Sequence, residues 1–316
     1  MSASRPRPLA AAALFLAAVG SPAFAAEPLK VVASFSILGD MVARVGGAHV
    51  EVRTLVGPNG DAHVYEPTPA DARDTASADL IVVNGLDFEG WLDRLVDASG
   101  YAGPVAIASD GVTPLDLHEE EAAGMPVEEE EGEEAGHHHG ATDPHAWQSI
   151  ANAEIYVKNV AAALCAADSG DCAAYEANAA AYASELKAID ASIKAGFSAV
   201  PVERRKVITT HDAFGYFAHA YGVEFLAPLG VSTEAEASAG DVARLIEQIR
   251  REGVTAIFLE NISDPRLIEQ IAAETGIRPG GELYSDALSP ADGPAATYAD
   301  MMRHNATLLQ SAMLGS

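Results

Sequence analysis

The chain has 316 residues, of which 49% are hydrophobic and 21% charged, and carries a formal net charge of −27. So acidic a chain argues against nucleic acid or an anionic membrane surface as a partner and is compatible with cations. The length exceeds what one core usually serves, so two lobes are the default expectation.

Residues 1–26 read as a cleaved signal peptide. Arg5 and Arg7 form a basic start, Leu9 to Val19 is an apolar run too short to span a membrane, and Ala23-Phe24-Ala25 supplies a small-x-small cleavage pattern. No cysteine directly follows the apolar run, so an exported, soluble protein without a lipid anchor is expected. Losing Arg5 and Arg7 takes the charge from −27 to −29.

From Leu29 onward, short β-branched runs alternate with helical periods. Leu29–Phe35, Val50–Gly57, Ala78–Asn84 and Val105–Ala108 read as strands, and Leu38–Val45, Pro69–Ser77 and Phe88–Ala98 as helices. Apolar strand runs alternating with helices indicate parallel sheets covered on both faces. The second half repeats the rhythm, with strands at Lys206–Thr210, Glu224–Pro228, Val254–Glu260 and Glu282–Ser285 and helices at Phe214–Tyr221, Asp241–Arg251, Pro265–Glu274 and Tyr298–Met313. The fold class is therefore α/β, two lobes of parallel four-stranded sheet flanked by helices.

Two helical stretches lie between the halves. Asp143 and Pro144 suit the N-cap and first position of a helix running to about Ala167. After a turn, Tyr175, Ala179, Tyr182, Leu186, Ile189, Ile193 and Phe197 mark one stripe of a long helix, a rod of ~40 Å. A stiff helix at 171–199 is thus expected to join an N-terminal lobe at 27–167 to a C-terminal lobe at 200–316. Cys165 and Cys172 are the only cysteines, and in an exported chain their pairing is the leading reading; closing so short a loop contributes ~2.5 kcal/mol in the chain-entropy account.

Four residues occupy one recurring place, shortly after a predicted strand: His63, His145, His211 and Asp286. In open parallel sheets ligands bind beyond the carboxyl ends of strands, so two residues from each lobe would meet across a cleft. Three imidazoles and a carboxylate suit tetrahedral Zn2+, whereas calcium or magnesium would want more oxygens. Each residue also has a plainer reading, as a surface, capping or turn residue, and spacing alone leaves the two readings about even.

The chain resembles the cluster A-I (cluster 9) metal-binding proteins of ABC importers, the ZnuA/AztC-like zinc proteins. The likeness rests on HVYEPTPAD from His63 to Asp71, DPHAW from Asp143 to Trp147, THDAFGYFAHAYG from Thr210 to Gly222 and LYSDALS from Leu283 to Ser289. It implies two α/β lobes joined by one long helix, with metal ligands His63, His145, His211 and Asp286. In manganese-type relatives the third ligand is glutamate; His211 here favours zinc, bound as transported cargo. Some zinc members have an acidic residue before the first histidine, where this chain has Ala62. The implied partners are an ABC permease and its ATPase, with a periplasmic zinc metallochaperone as a further candidate; a monomer is expected.

Within the expected N-terminal lobe, 118–140 form an acidic tract in which His118 and His137, His138 and His139 stand among nine glutamates. Its composition cannot form a core. Weak zinc capture by those histidines is favoured over a merely solvating tract. His49, His219 and His304 read as ordinary surface or helix residues, and Trp91 and Trp147 as core anchors. Glu66, Asp212 and Glu260 are candidates to orient imidazoles, with salt bridges or caps as equal alternatives. No His-Glu-x-x-His, Gly-x-Ser-x-Gly or Walker A segment is present, so an enzyme is not expected.

Overall fold

A computed structural model describes residues 27–116, 142–235, 237–254 and 256–315. The expected leader at 1–26 and the tract histidines His118 and His137–His139 lie outside the described residues.

The first sheet contains β1 (Leu29–Phe35), β2 (Val50–Val56), β3 (Leu80–Val83) and β4 (Val105–Ile107) in the order β2-β1-β3-β4. Central strand β3 is Leu-Ile-Val-Val, buried throughout, as a parallel strand covered on both faces must be. Helices α1 (Ser36–Gly46), α2 (Pro69–Ala76) and α3 (Leu92–Ser99) make the crossovers. Helix α2 starts where it does because Thr68 and Asp71 form a capping box with Pro69 at the first position. Tyr65 adds its hydroxyl to the same Asp71 carboxylate at 2.8 Å.

A second sheet repeats the order as β6-β5-β7-β8, from β5 (Lys206–Ile208), β6 (Glu224–Leu226), β7 (Ala256–Glu260) and β8 (Pro279–Leu283). All its pairs are parallel, as in the first sheet. Its helices are α6 (Gly215–Tyr221), α7 (Ala239–Glu252) and α8 (Arg266–Thr275). The last strand begins at Pro279, earlier than the expected Glu282, and its pairing with β7 slips between Ile257 and Leu259. A Pro-Gly-Gly start reads as a turn in sequence; an edge strand tolerates it because one side needs no ladder donors.

Between the sheets run α4 (Ile150–Ala167) and α5 (Cys172–Ser198). Cys165 and Cys172 are bonded at 2.01 Å and close the turn that joins them. The seven buried residues of α5 are the predicted stripe from Tyr175 to Phe197. One correction concerns the start of α4. It begins at Ile150 with Ser149 as N-cap, after a single 3-10 turn over Ala146–Gln148, so Asp143 and Pro144 do not open it.

The hydrophobic core does not divide with the sheets. One continuous cluster takes in β1 and β3, α4 and α5, and then Phe214, Phe217, Phe258 and Leu283 of the second half, together with Met301, Met302 and Leu309 of the last helix, α9 (Tyr298–Leu314). A smaller cluster, including Leu245, Ile249, Ile268 and Ile271, fills the space under α7 and α8. Helix α9 packs on β8, α5 and α1, and its Tyr298 backbone N–H donates to Asp40 of α1 at 2.9 Å. Shared packing of this kind opposes wide separation of the two sheets. Among the described residues no helix is long and apolar enough to cross a membrane.

Candidate metal centre

The loops beyond the strand ends bring His63, His145, His211 and Asp286 together, one nitrogen or oxygen from each lying within 4.8 Å of all the others. The imidazoles of His145 and His211 and the Asp286 carboxylate have no exposed side-chain surface, and His63 keeps only 5%. Asp286 Oδ2 lies 3.1 Å from His63 Nε2 and 3.2 Å from His211 Nε2. His145 Nε2 is 3.4 Å from His63 Nε2 and 3.6 Å from Asp286 Oδ1. A tetrahedral ion with bonds of 2.0–2.1 Å sets its ligand atoms roughly 3.3–3.4 Å apart, close to these separations. Asp286 Oδ1 is buried without a hydrogen-bond donor, which in a folded interior calls for a cation or a proton.

Each candidate ligand is held from behind. His63 follows β2 in a loop whose Ala62 carbonyl accepts from the Trp91 indole at 2.8 Å, and the Phe88 ring stands edge-on to its imidazole at 4.9 Å. The His145 backbone N–H and Nδ1 both meet Asp143 Oδ1 at 2.8 Å. Thus the Asp143-Pro144 pair serves the imidazole rather than a helix start. At His211, Nδ1 lies 2.6 Å from Glu260 Oε2, while Glu260 Oε1 accepts from the backbone of Thr210 and His211 at 2.6 and 3.0 Å. A carboxylate behind an imidazole fixes the ring and leaves Nε2 facing the cavity. Of the three carboxylates considered from sequence, Glu260 is set behind the His211 imidazole, whereas Glu66 is exposed.

Further residues, not assigned this role from sequence, lock the segment carrying His145. Asn84 Nδ2 donates to the Pro144 carbonyl at 2.9 Å, and the Tyr216 hydroxyl donates to the Asp143 carbonyl at 3.0 Å. Trp147 Nε1 and Gln148 Nε2 both donate to the Ser285 carbonyl, at 2.9 and 2.7 Å, beside Asp286. Trp91 and Trp147 are core anchors, with 2% and 0% exposure, but each also spends its one donor on the backbone next to a site residue. A signal was present in the sequence, since a buried indole seeks an acceptor, but its identity was not. Elsewhere, His49 pairs with Asp171 at 2.8 Å and His304 meets the Glu282 carbonyl at 3.0 Å.

The electrostatics follow from burial against a shared carboxylate. Desolvation pushes the His145 imidazole down, but the Asp286 charge and the hydrogen bond to Asp143 outweigh it and raise it to about 9. Desolvation likewise opposes His211, and Glu260 and Asp286 carry it well above the ordinary histidine value. Asp286 would be raised by burial, yet His145 and His211 hold it well below the usual carboxylate range. In the metal-free protein, protons therefore occupy the place a cation would take. Metal binding needs those Nε2 lone pairs, so near pH 7 it is expected to release about two protons. The sign is fixed: affinity rises with pH until the His145 imidazole titrates at about 9. Calorimetry in buffers of different ionisation enthalpy measures the release, and a buffer-independent enthalpy would contradict it.

Comparison with known proteins bears on the family and the fold. The ZnuA family profile, described as zinc-uptake complex component A, periplasmic, matches residues 31–312. The iron-binding protein YfeA of Yersinia pestis is 32% identical over 285 residues, covering 90% of this chain and 86% of the relative. A manganese ABC transporter substrate-binding lipoprotein, PsaA of Streptococcus pneumoniae, is 31% identical, covering 88% and 87%. Among solved structures, the periplasmic zinc binding protein TroA of Treponema pallidum superposes with a TM-score of 0.79 at 29% identity, covering 90% of this chain and 99% of that one. A manganese-bound periplasmic metal binding protein from Candidatus Liberibacter asiaticus gives 0.75 at 30% identity, with the same coverage.

Proposed function

Because the chain belongs to the ZnuA family of extracytoplasmic metal-binding components of ABC importers, we propose that its cargo is Zn2+, held by His63, His145, His211 and Asp286 and passed to a membrane permease driven by its ATPase. The observation that carries this reading is the donor set: three imidazole nitrogens and one carboxylate, buried at near-tetrahedral separations. Imidazole suits zinc, whereas manganese prefers oxygen ligands. Relatives named for iron and manganese make the metal the part that needs the experiment.

The chain then divides into a lobe at 27–167, a helix at 171–199 and a lobe at 200–316, and the protein is released without a lipid anchor, although some relatives are lipoproteins. Two other readings are weaker. A periplasmic zinc buffer would share the site but lack a permease, and capture of the protein by permease-containing membranes separates the two. A zinc hydrolase needs an open coordination position, which four protein ligands close. Nothing in the site speaks for a loading metallochaperone.

Metal analysis of the purified protein, beside His63→Ala, His145→Ala, His211→Ala and Asp286→Ala, is the test. One tightly held zinc in the parent and none in the variants is expected, with zinc displacing manganese in competition. Retention of one tight zinc by all four variants would refute the assignment.

A further inference from the structure

Three of the site residues are sealed and one is not. His145, His211 and Asp286 have no exposed side-chain surface, while His63 retains 5%. Two of the sealed three, His145 and Asp286, are also tied together through their flanking residues. The Ser285 carbonyl beside Asp286 receives both Trp147 and Gln148, two and three residues beyond His145. The segment 59–63 carrying His63 crosses to the second half through bonds nearer the surface. Asn59 N–H donates to the Leu288 carbonyl at 3.0 Å, and Asn261 Nδ2 donates to Asn59 Oδ1 at 3.1 Å in an exposed pair. Closest to the ligand, half-buried Asp61 faces both ways. Its Oδ1 accepts from the His63 backbone N–H at 2.9 Å, and its Oδ2 accepts from the Thr233 hydroxyl at 2.7 Å.

Thr233 belongs to the segment after β6, which is itself tied to the His211 loop. Leu229 N–H donates to the Thr210 carbonyl at 3.3 Å and Asp212 N–H donates to Gly230 at 3.2 Å. One carboxylate therefore couples the backbone of a first-half ligand to a strap anchored on the loop of a second-half ligand. Resting on the metal-binding reading above, we propose that Asp61 and Thr233 are positioning residues that latch His63 over the bound ion, and that metal leaves on the His63 side when this latch opens.

A hydrogen bond to a charged group, lost without another change, is expected to speed dissociation about tenfold. The test is zinc release from the loaded full chain into a chelator, followed by stopped flow. Thr233→Val should raise the dissociation rate about tenfold while zinc remains at one per chain, and Thr233→Ser, which keeps the hydroxyl, should restore the parent rate. Asp61→Ala should also speed release, and adding Thr233→Val to it should change little further, since the partner is already gone. Equal rates in the parent and Thr233→Val, or effects that simply add in the double variant, would overturn the latch. Absence of one tight zinc in the parent would instead sink the zinc reading itself.

Discussion

Asp286→Ala is expected to abolish tight metal binding and to destabilise the metal-free protein by about 3 kcal/mol near pH 7, because removing one member of a buried charge group leaves the others uncompensated. In the parent, Asp286 faces His145 and His211 with no exposed surface, and its charge is a leading cause of their raised proton affinity. For His145 the folded value lies near 9, above its unfolded value. Its stabilisation is therefore fully present below the unfolded value of ~6.5 and is lost as pH rises through about 9. The parent should thus lose metal-free stability over that window and Asp286→Ala should lose less, so the two curves converge at the alkaline end. Urea unfolding of both proteins across that range measures it. A variant penalty that grows with pH would mean that the carboxylate does not pair with these imidazoles.

Trp147→Ala should have the largest purely structural effect, about 4 kcal/mol, in the range for deleting a fully buried large aromatic side chain. Its ring packs against Phe35 at 4.9 Å and Phe88 at 4.8 Å and lies 5.3 Å from the His145 imidazole. The lost indole donor leaves the Ser285 carbonyl to Gln148 alone, so the tie between His145 and Asp286 loosens as well. Zinc affinity should fall at least about tenfold, the scale for removing an outer-shell support. Trp147→Phe keeps most of the packing and should cost about 1 kcal/mol, the net value of one neutral hydrogen bond. Denaturant unfolding and zinc titration of both variants decide this. Equal stabilities for the two would show that packing is not what the tryptophan supplies.

Much of the architecture was legible because it rests on short-range pattern. The run Leu29–Phe35 reads as a strand buried on both faces, which points to a parallel sheet, and the stripe from Tyr175 to Phe197 repeats at helical spacing along a 27-residue helix. Capping chemistry set Pro69 as the start of α2. Pattern misled where a local preference had two uses. Asp143-Pro144 is a good helix opening, but the Asp143 carboxylate is taken by the His145 ring, and the helix waits until Ile150. The strand expected from Glu282 starts instead at Pro279, because β7 offers an edge for this segment to pair with.

Sequence by itself determined the element rhythm and the long helix, expected at 171–199 and found at 172–198, and it marked four side chains as candidates to hold a cation. Those properties depend on residue type and on spacings of a few positions. Tertiary structure alone decided what stands behind each candidate ligand. Asp143 reaches His145, Glu260 reaches His211 from 49 residues away, and Asp61 meets Thr233 across 172. It also decided that the sheets share one core and that three of the four candidate ligands are sealed while His63 keeps an opening. Burial and proton affinity are properties of surroundings, and those surroundings exist only once distant segments have packed together.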